Sequence, residues 1–446
     1  MTPLWTIAHV DLQDDPPRLG RPAGGRGLYV VFWWGRHPLG ERYWPAEELP
    51  APPAEVAAVA ARAVADAVGA RLVGAGFPRR PTAEADRDDL DVGALRALTD
   101  PLRRLDEGGA VPSDAPTVTV AVCTRDRPDA LDVCLGSIGR LAAPPHEVLV
   151  VDNASSSDAA RDVAARHGAR YVREPRPGLD VARNAAVRHA TGRAVAFVDD
   201  DVEVHPGWLG AVRRRFAHPE VGAVTGLVLP AALDTPAQVA FEEHWTFNRG
   251  FVPRTFRPSL LDVRPSRAVP VWEIGAGANM AVRRAAVEAV GLFDERLDAG
   301  AAGCSGDTEM WFRLLAGGWA CVYDPDAVVF HAHRRDDAAF ARQVGAYMKG
   351  HTASLLVQYG ATGRRGELHR LALSLPRWYL RLGLRRLRRG ADARTRTLGP
   401  EVRGALAGVG YYLRHRRTPA VAAPPVAAPP EAAAPPGAVP AGPGAP

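Results

Sequence analysis

Ala194, Val195, Ala196, Phe197, Val198, Asp199, Asp200 and Asp201 form one unbroken stretch, five apolar residues running into three acids. A short apolar run with β-branched members reads as a buried strand. The three carboxylates then emerge together at its C-terminal end. Adjacent like charges repel, and a cation among them relieves the repulsion. Hard cations such as Mg²⁺ or Mn²⁺ favour carboxylate oxygens and commonly share their shell with substrate phosphates. The stretch points to a metal that holds a phosphorylated substrate. It is equally compatible with a solvated acidic turn before a helix over 205–216, with Pro206 in its first turn.

Outward from this stretch, strands and helices alternate. Val118 to Cys123, Glu147 to Val151 and Arg170 to Arg173 read as strands, and 129–141, 157–166 and 180–189 as the helices between them. Such alternation implies a mainly parallel sheet with helices on both faces, whose ligands bind beyond the carboxyl ends of the strands. Thr124, Arg125, Asp126, Arg127 and Pro128 follow the first strand, and Asp152 and Asn153 follow the second. Each cluster alone is an ordinary turn or helix cap. Together with the three aspartates they place polar strand ends on one edge, which defines a candidate site.

Composition narrows the class. The chain has 446 residues, 47% of them hydrophobic, enough for several domains and a sizeable core. A net charge of +5 is modest for this length and does not argue for a nucleic-acid partner. Cys123, Cys134, Cys304 and Cys321 are too scattered for a disulfide framework and include no C-x-x-C pair. Met1 to Trp5 open without the basic and apolar regions of a leader, and no stretch approaches the roughly 18 apolar residues of a spanning helix. A cytoplasmic protein, at most peripheral on the inner face of the plasma membrane, is the expectation.

The chain divides into four parts. Residues 1–115 read as a small α+β unit: a strand from Leu28 to Trp34, a turn from Gly35 to Pro38, a return strand from Leu39 to Trp44 and a helix from Ala54 to Val68. Trp33 and His37 are expected to serve packing and turn roles there. The alternating segment fills 116–335, and a basic helical extension fills 336–417. Residues 418–446 are rich in proline and alanine, too poor in large apolar residues to fold.

Further motifs follow in a fixed order: Gly178, Leu179, Asp180, Val181, Ala182, Arg183, Asn184; the triple aspartate; Gly277, Ala278, Asn279, Met280 before Arg283; Gly306, Asp307, Thr308, Glu309; and His331 with His333. From Val118 to His333 the chain resembles glycosyltransferase family 2 of the single-addition, non-processive type. The resemblance implies a GT-A (Rossmann-like) catalytic domain and a hexosyltransferase activity of the kind used in cell-envelope polysaccharide synthesis. It implies that Thr124, Arg125, Arg127, Asp152 and Arg183 hold the nucleotide of an activated sugar, with Asp199 and Asp200 beside them. It further implies that Asp201 binds a divalent Mn²⁺ or Mg²⁺ bridging the diphosphate, and that Asp307 is the general base of an inverting transfer.

Three residues are expected near the acceptor or behind the primary contacts: Asn279, Glu309 and His331. Glu309 is the alternative base, or a carboxylate favoured at a helix start. His331 and His333 alternate and so share a face, with His333 the favoured metal ligand. The family's Glu-Asp pair is here Gly306-Asp307, which leaves the base in place without its glutamate. Asp200 is the aspartate whose replacement is expected to matter least.

Arg377, Arg381, Arg385 and Arg388 recur at helical spacing, with Leu375, Trp378, Leu382 and Leu387 offset from them. Such a helix suits an anionic membrane surface, or packs on the catalytic domain with its arginines in water. The Gln-x-x-Arg-Trp motif of processive enzymes is incomplete, Ser374 standing where glutamine belongs. The donor is expected to be a nucleotide-diphosphate sugar and the acceptor a saccharide, lipid-linked or small molecule. A catalytically silent sugar-nucleotide-binding module and a sugar nucleotidyltransferase are the rival readings.

Overall fold

The computed structural model describes residues 3–74, 91–103, 111–262 and 267–418. The expected Pro/Ala-rich tail therefore lies, beyond residue 418, outside the described residues. The N-terminal part holds β1 (Trp5–Asp11), β2 (Gly27–Trp34) and β3 (His37–Pro45). β2 runs parallel to β1 and antiparallel to β3. The return strand starts two residues earlier than the turn reading placed it, because Trp34 already pairs with His37.

The helix Pro53–Gly74 is longer than expected and covers one face of this small sheet. Val56, Ala60, Ala61, Val64, Ala67 and Val68 are its buried side, at the spacing of a single helical face. The opposite face of the sheet, with Tyr29, Val31 and Trp33, packs against Leu227, Leu229 and Val328 of the large sheet and against Leu233, just beyond the strand that carries Leu227 and Leu229. His37 and Trp33 do take packing roles: Trp33 Nε1 donates to His9 Nδ1 and its ring stacks on His205. A buried cluster links the two sheets, with Asp326 2.6 Å from Arg71 and 2.8 Å from His37.

The large sheet contains β4 (Val118–Thr124), β5 (Glu147–Asn153), β6 (Arg170–Glu174), β7 (Ala194–Asp199), β8 (Val202–Val204), β9 (Val221–Pro230), β10 (Arg254–Phe256), β11 (Asn279–Arg283) and β12 (Ala320–His331). Its order is β10-β12-β9-β11-β7-β4-β5-β6, with β8 paired to β12. β6, β5, β4 and β7 are parallel, and β11 enters antiparallel between β7 and β9. The expected α/β sheet is thus present, with β12 parallel to β9 and with β8, β10 and β11 running antiparallel to their neighbours.

Helices Pro128–Ile138, Ala159–Arg166 and Trp208–Phe216 cover one face. Leu179–His189, Arg284–Val290 and Gly306–Ala316 cover the other. Both faces are buried, which explains the unbroken apolar run at 194–198. The helix after the aspartates begins at Trp208, since Pro206 sits in a turn closed by Trp208 N–H donating to His205 C=O. Asp200 and Asp201 therefore lie between two strands and cap no helix.

Register aligns the polar strand ends. Cys123 sits opposite both Val151 and Asp199, and Thr124 opposite Asp152. The C-terminal extension consists chiefly of helices Asp337–Thr362, Leu375–Arg389 and Leu398–His415. Glycine at 350 lets the first of these lie directly on the loop before Asp307: a Cβ there would stand 2.3 Å from the Cys304 carbonyl oxygen.

Candidate active site

A cavity of about 430 Å³ opens at the carboxyl ends of β4, β5 and β7. Of the residues singled out in the sequence, Thr124, Arg125, Arg127, Arg183, Asp199, Asp200, Asp201, His331 and Asp307 line it. Residues as far apart in sequence as Thr124 and His331 are brought together because parallel strands end on one edge and β12 returns to pair with β8 there.

Asp201 is fixed from its backbone outward. Its carbonyl accepts from Ala332 N–H, and β8 pairs with the end of β12 so that Val202 faces His331. This sets His331 Nε2 3.4 Å from Asp201 Oδ1. Asp199, Asp201 and His331 each offer one ligand atom, and the three atoms lie within 4.8 Å of one another. Burial and the Asp201 charge push the Asp199 carboxyl up to about 7, a measure of how poorly this pocket tolerates bare anions. Burial pushes His331 down to about 4, so its imidazole is neutral and has a lone pair to give.

His333 does not join them. Its Nδ1 lies 2.8 Å from His331 Nδ1, and its Nε2 lies 2.5 Å from Glu242 Oε1. The strand ends at His331, so the next two residues fold behind it, and the geometry favours His331 over the expected His333 as ligand. With Glu242 accepting from His333 Nε2–H, His333 Nδ1 accepts from His331 Nδ1–H, and His331 Nε2 is left facing Asp201.

Asp200 has its own partners. It accepts from Thr124 Oγ1 at 2.7 Å and pairs with Arg127 Nη1 at 2.9 Å, while Arg127 Nη2 reaches Asp201 Oδ2 at 2.5 Å. The middle aspartate is thus a buried brace, and its expected dispensability does not fit this geometry. Thr124 and Arg127 are engaged in the same bracing, whereas the Arg125 side chain is half exposed beside Asp126.

Arg183 is buried, not a surface arginine, and pairs with Asp298 at 2.6 Å and Asp180 at 3.0 Å. Asp307, at the start of helix Gly306–Ala316, accepts from Thr308 N–H at 2.7 Å and from the Gly277 backbone. Burial and Asp298 push its carboxyl up to about 6 despite Arg183. A base with that affinity takes a proton near neutral pH. Glycine at 306 has a spatial reason: a Cβ there would lie 1.8 Å from Asp180 Oδ2, an oxygen with no hydrogen-bond partner.

Three expected residues stand elsewhere. Asp152 is fully buried and engaged by Ser155 N–H, Tyr171 O–H at 2.6 Å and Arg173, and it does not line the cavity; Asn153 beside it does. Asn279 is a core residue: Oδ1 accepts from Trp208 Nε1–H, and Nδ2 donates to the Leu227 and Ala327 carbonyls. Glu309 is buried in an ion pair with Arg313 at 2.7 Å and faces away from the cavity.

The cavity also has walls that the motifs did not reveal. Asp298, Arg249, Trp272, Arg334 and Tyr347 contribute, Arg334 standing 3.9 Å from Asp201. Tyr347 belongs to helix Asp337–Thr362, so the C-terminal extension is part of the site. Two of these had a signal in the sequence: Arg334 follows His333 directly, and Asp298 precedes Ala299 and Gly300 in a turn-forming run, where its φ is +61°.

Comparison with known proteins identifies the class. The model of glycosyl transferase family 2 matches residues 119–290. An uncharacterized glycosyltransferase of Mycobacterium bovis is 38% identical over 189 residues, 41% of this chain and 74% of that protein. The chain belongs to glycosyl transferase family 2. This glycosyltransferase is also 24% identical over 230 residues to glycosyltransferase AglE of Haloferax volcanii, covering 50% of this chain and 69% of AglE. Among solved structures it is similar to the mannosyltransferase PcManGT of Pyrobaculum calidifontis, in complex with GDP-Man and Mn²⁺. The two are 20% identical with a TM-score of 0.46, over 70% of this chain and 98% of that one. Among the described residues of the glycosyltransferase, no helix is long and apolar enough to cross a membrane.

Proposed function

We propose that this glycosyltransferase transfers a sugar, with inversion, from a nucleoside-diphosphate donor to an acceptor hydroxyl. The observation that carries the reading is the meeting of Asp199, Asp201 and His331 on the same cavity as Asp307. Two carboxylates and a neutral imidazole fit a divalent cation, and the imidazole favours Mn²⁺ over Mg²⁺. When bound, the cation would supply Lewis-acid stabilisation of the departing diphosphate.

The chain's own residues do the rest. Arg127 and Arg334 flank Asp201 and supply positive charge where the diphosphate's negative charge grows. Arg183, locked between Asp180 and Asp298, holds the floor of the cavity rigid beside Asp307. Asp307 takes the proton of the acceptor hydroxyl as its oxygen bonds to the anomeric carbon. The bond from that carbon to the diphosphate oxygen breaks on the opposite side, and a nucleoside diphosphate leaves. A single displacement of this kind inverts the centre.

The donor half is tested by thermal shift with nucleoside diphosphates, with and without Mn²⁺. The expected result is stabilisation by at least one nucleotide that depends on the metal. Absence of any metal-dependent stabilisation overturns the donor site. Release of pyrophosphate in place of a nucleoside diphosphate would instead mark a nucleotidyltransferase.

A further inference from the structure

We infer that the helix Leu375–Arg389 is a docking surface for an anionic lipid bilayer. The sequence alone suggested an apolar face containing Leu375 and Leu382, but the structure buries those two against the protein. The outward stripe keeps Leu387 of that reading and adds Leu380 and Leu384. Leu380, Leu384 and Leu387 are 64%, 42% and 84% exposed and follow one another at helical i, i+4, i+7 spacing. They stand on the side of the helix opposite Leu375 and Leu382.

Arginines flank this stripe. The helix holds Arg377, Arg381, Arg385, Arg386, Arg388 and Arg389 and no acidic residue. Arg385 pairs with Asp392, and Arg386 donates to the Thr395 carbonyl. Among the described residues, Arg377, Arg381, Arg388 and Arg389 have no acidic partner. At 100° per residue, Arg377, Arg381 and Arg388 fall along one border of the leucine stripe.

Exposed leucines and unneutralised arginines side by side select the occupant. A nucleic acid would satisfy the arginines and leave Leu380 and Leu387 in water. A second copy of this face would bury the leucines but set arginines against arginines. The chain's own residues 419–446 carry a single acid, Glu431, and no aromatic residue. A bilayer with anionic headgroups presents phosphate at its surface and hydrocarbon a few ångströms below, which matches the arginine border and the leucine stripe beside it.

The position of the helix gives the surface a use. It continues, through a π-helical turn at Arg370–Ser374, from the helix Arg365–His369. The Arg370 guanidinium lies 3.9 Å from the centre of the Trp272 ring, and Trp272 lines the cavity. The docking helix is therefore tied to the wall of the active site. If transfer proceeds as proposed above, an acceptor carried by lipid would reach the cavity from the surface that this helix occupies.

The full chain is tested by co-sedimentation with phosphatidylcholine vesicles, with and without phosphatidylglycerol. Binding is expected only with phosphatidylglycerol, and to weaken as salt is raised. Arg377→Gln with Arg381→Gln and Arg388→Gln should weaken it roughly 100-fold, at about 1 kcal/mol per arginine. Leu380→Gln with Leu387→Gln should weaken binding at low and high salt alike. Both sets alter exposed side chains, and an unchanged melting temperature shows that folding is intact. Failure of the unaltered protein to bind anionic vesicles overturns the inference, as does binding indifferent to both sets of substitutions. So does loss of a dimer in the leucine variant with vesicle binding unaffected. The assay reads lipid binding without donor or transfer, so its failure leaves the proposed reaction standing.

Discussion

His331 and His333 face each other through their Nδ1 atoms at 2.8 Å, and Glu242 closes the chain at His333 Nε2. Only one of two facing nitrogens can carry the proton. With the Nε2–H tautomer of His333 donating to Glu242, the shared proton belongs to His331 Nδ1 and His331 Nε2 is free for the cavity. Partners of this kind orient a metal ligand without touching the metal. Glu242→Gln is therefore expected to weaken Mn²⁺ binding by about 10-fold to 100-fold, and His331→Ala by more. Titration calorimetry with Mn²⁺ measures both; equal affinity in Glu242→Gln and the parent would remove Glu242 from this role.

Asp307 gives a pH test with a definite sign. A base acts only when ionised, and burial together with Asp298 pushes this carboxyl up to about 6. Transfer by the free enzyme should therefore rise as pH increases through about 6 and level off above it. Asp307→Asn should lower the transfer rate by roughly 10²-fold to 10⁴-fold while donor binding persists. Steady-state rates across pH, with binding measured separately, check both; full activity in Asp307→Asn would exclude it as the base.

The middle aspartate makes a stability prediction. Asp200→Ala removes the acceptor for Thr124 Oγ1 and one of the two carboxylates that hold Arg127. Arg127 is partly exposed and keeps Asp201, so the cost falls on the buried Thr124 hydroxyl, and leaving one such group unsatisfied costs about 1–3 kcal/mol. A urea melt should show a loss of that size, and an unchanged midpoint would show that Asp200 is no brace.

Between the two sheets, Asp326 answers to Arg71 and His37. Burial pushes its carboxyl up, but the Arg71 guanidinium and His37 outweigh burial and hold it well below the usual range. A carboxyl with depressed affinity stabilises the fold above its unfolded value and loses that contribution as pH falls through its folded one. Arg71→Ala should cost roughly 3 kcal/mol near neutral pH, since it removes the guanidinium paired with a buried carboxylate and leaves that carboxylate to His37. The gap between variant and parent should shrink toward strongly acidic pH, which thermal melts at a series of pH values will show.

Much of the catalytic sheet could be read from the chain because its strands are buried on both faces and announce themselves as continuous apolar runs. The same runs place Thr124 and Asp199 at strand ends, whereas only the resemblance to the family's motif singles out Asp307. Periodicity could not separate His331 from His333, because their difference is made by where β12 stops pairing. Asn279 sat in a motif yet serves the core, since nothing in local sequence reports that Trp208, Leu227 and Ala327 converge on it. Trp272 and Tyr347 escaped notice because they arrive from a loop and a distant helix whose packing no local pattern encodes. In the basic helix the spacing was visible, but which leucines faced inward depended on contacts with the neighbouring C-terminal helices.

Gly306 and Asp180 are far apart along the chain and claim one volume. Where the family's pattern has glutamate, this chain has no side chain, and the carboxylate of Asp180 fills the space directly beside that backbone. A side chain at 306 and the Asp180 carboxylate, delivered by another helix, would claim the same space, and only one of them can hold it.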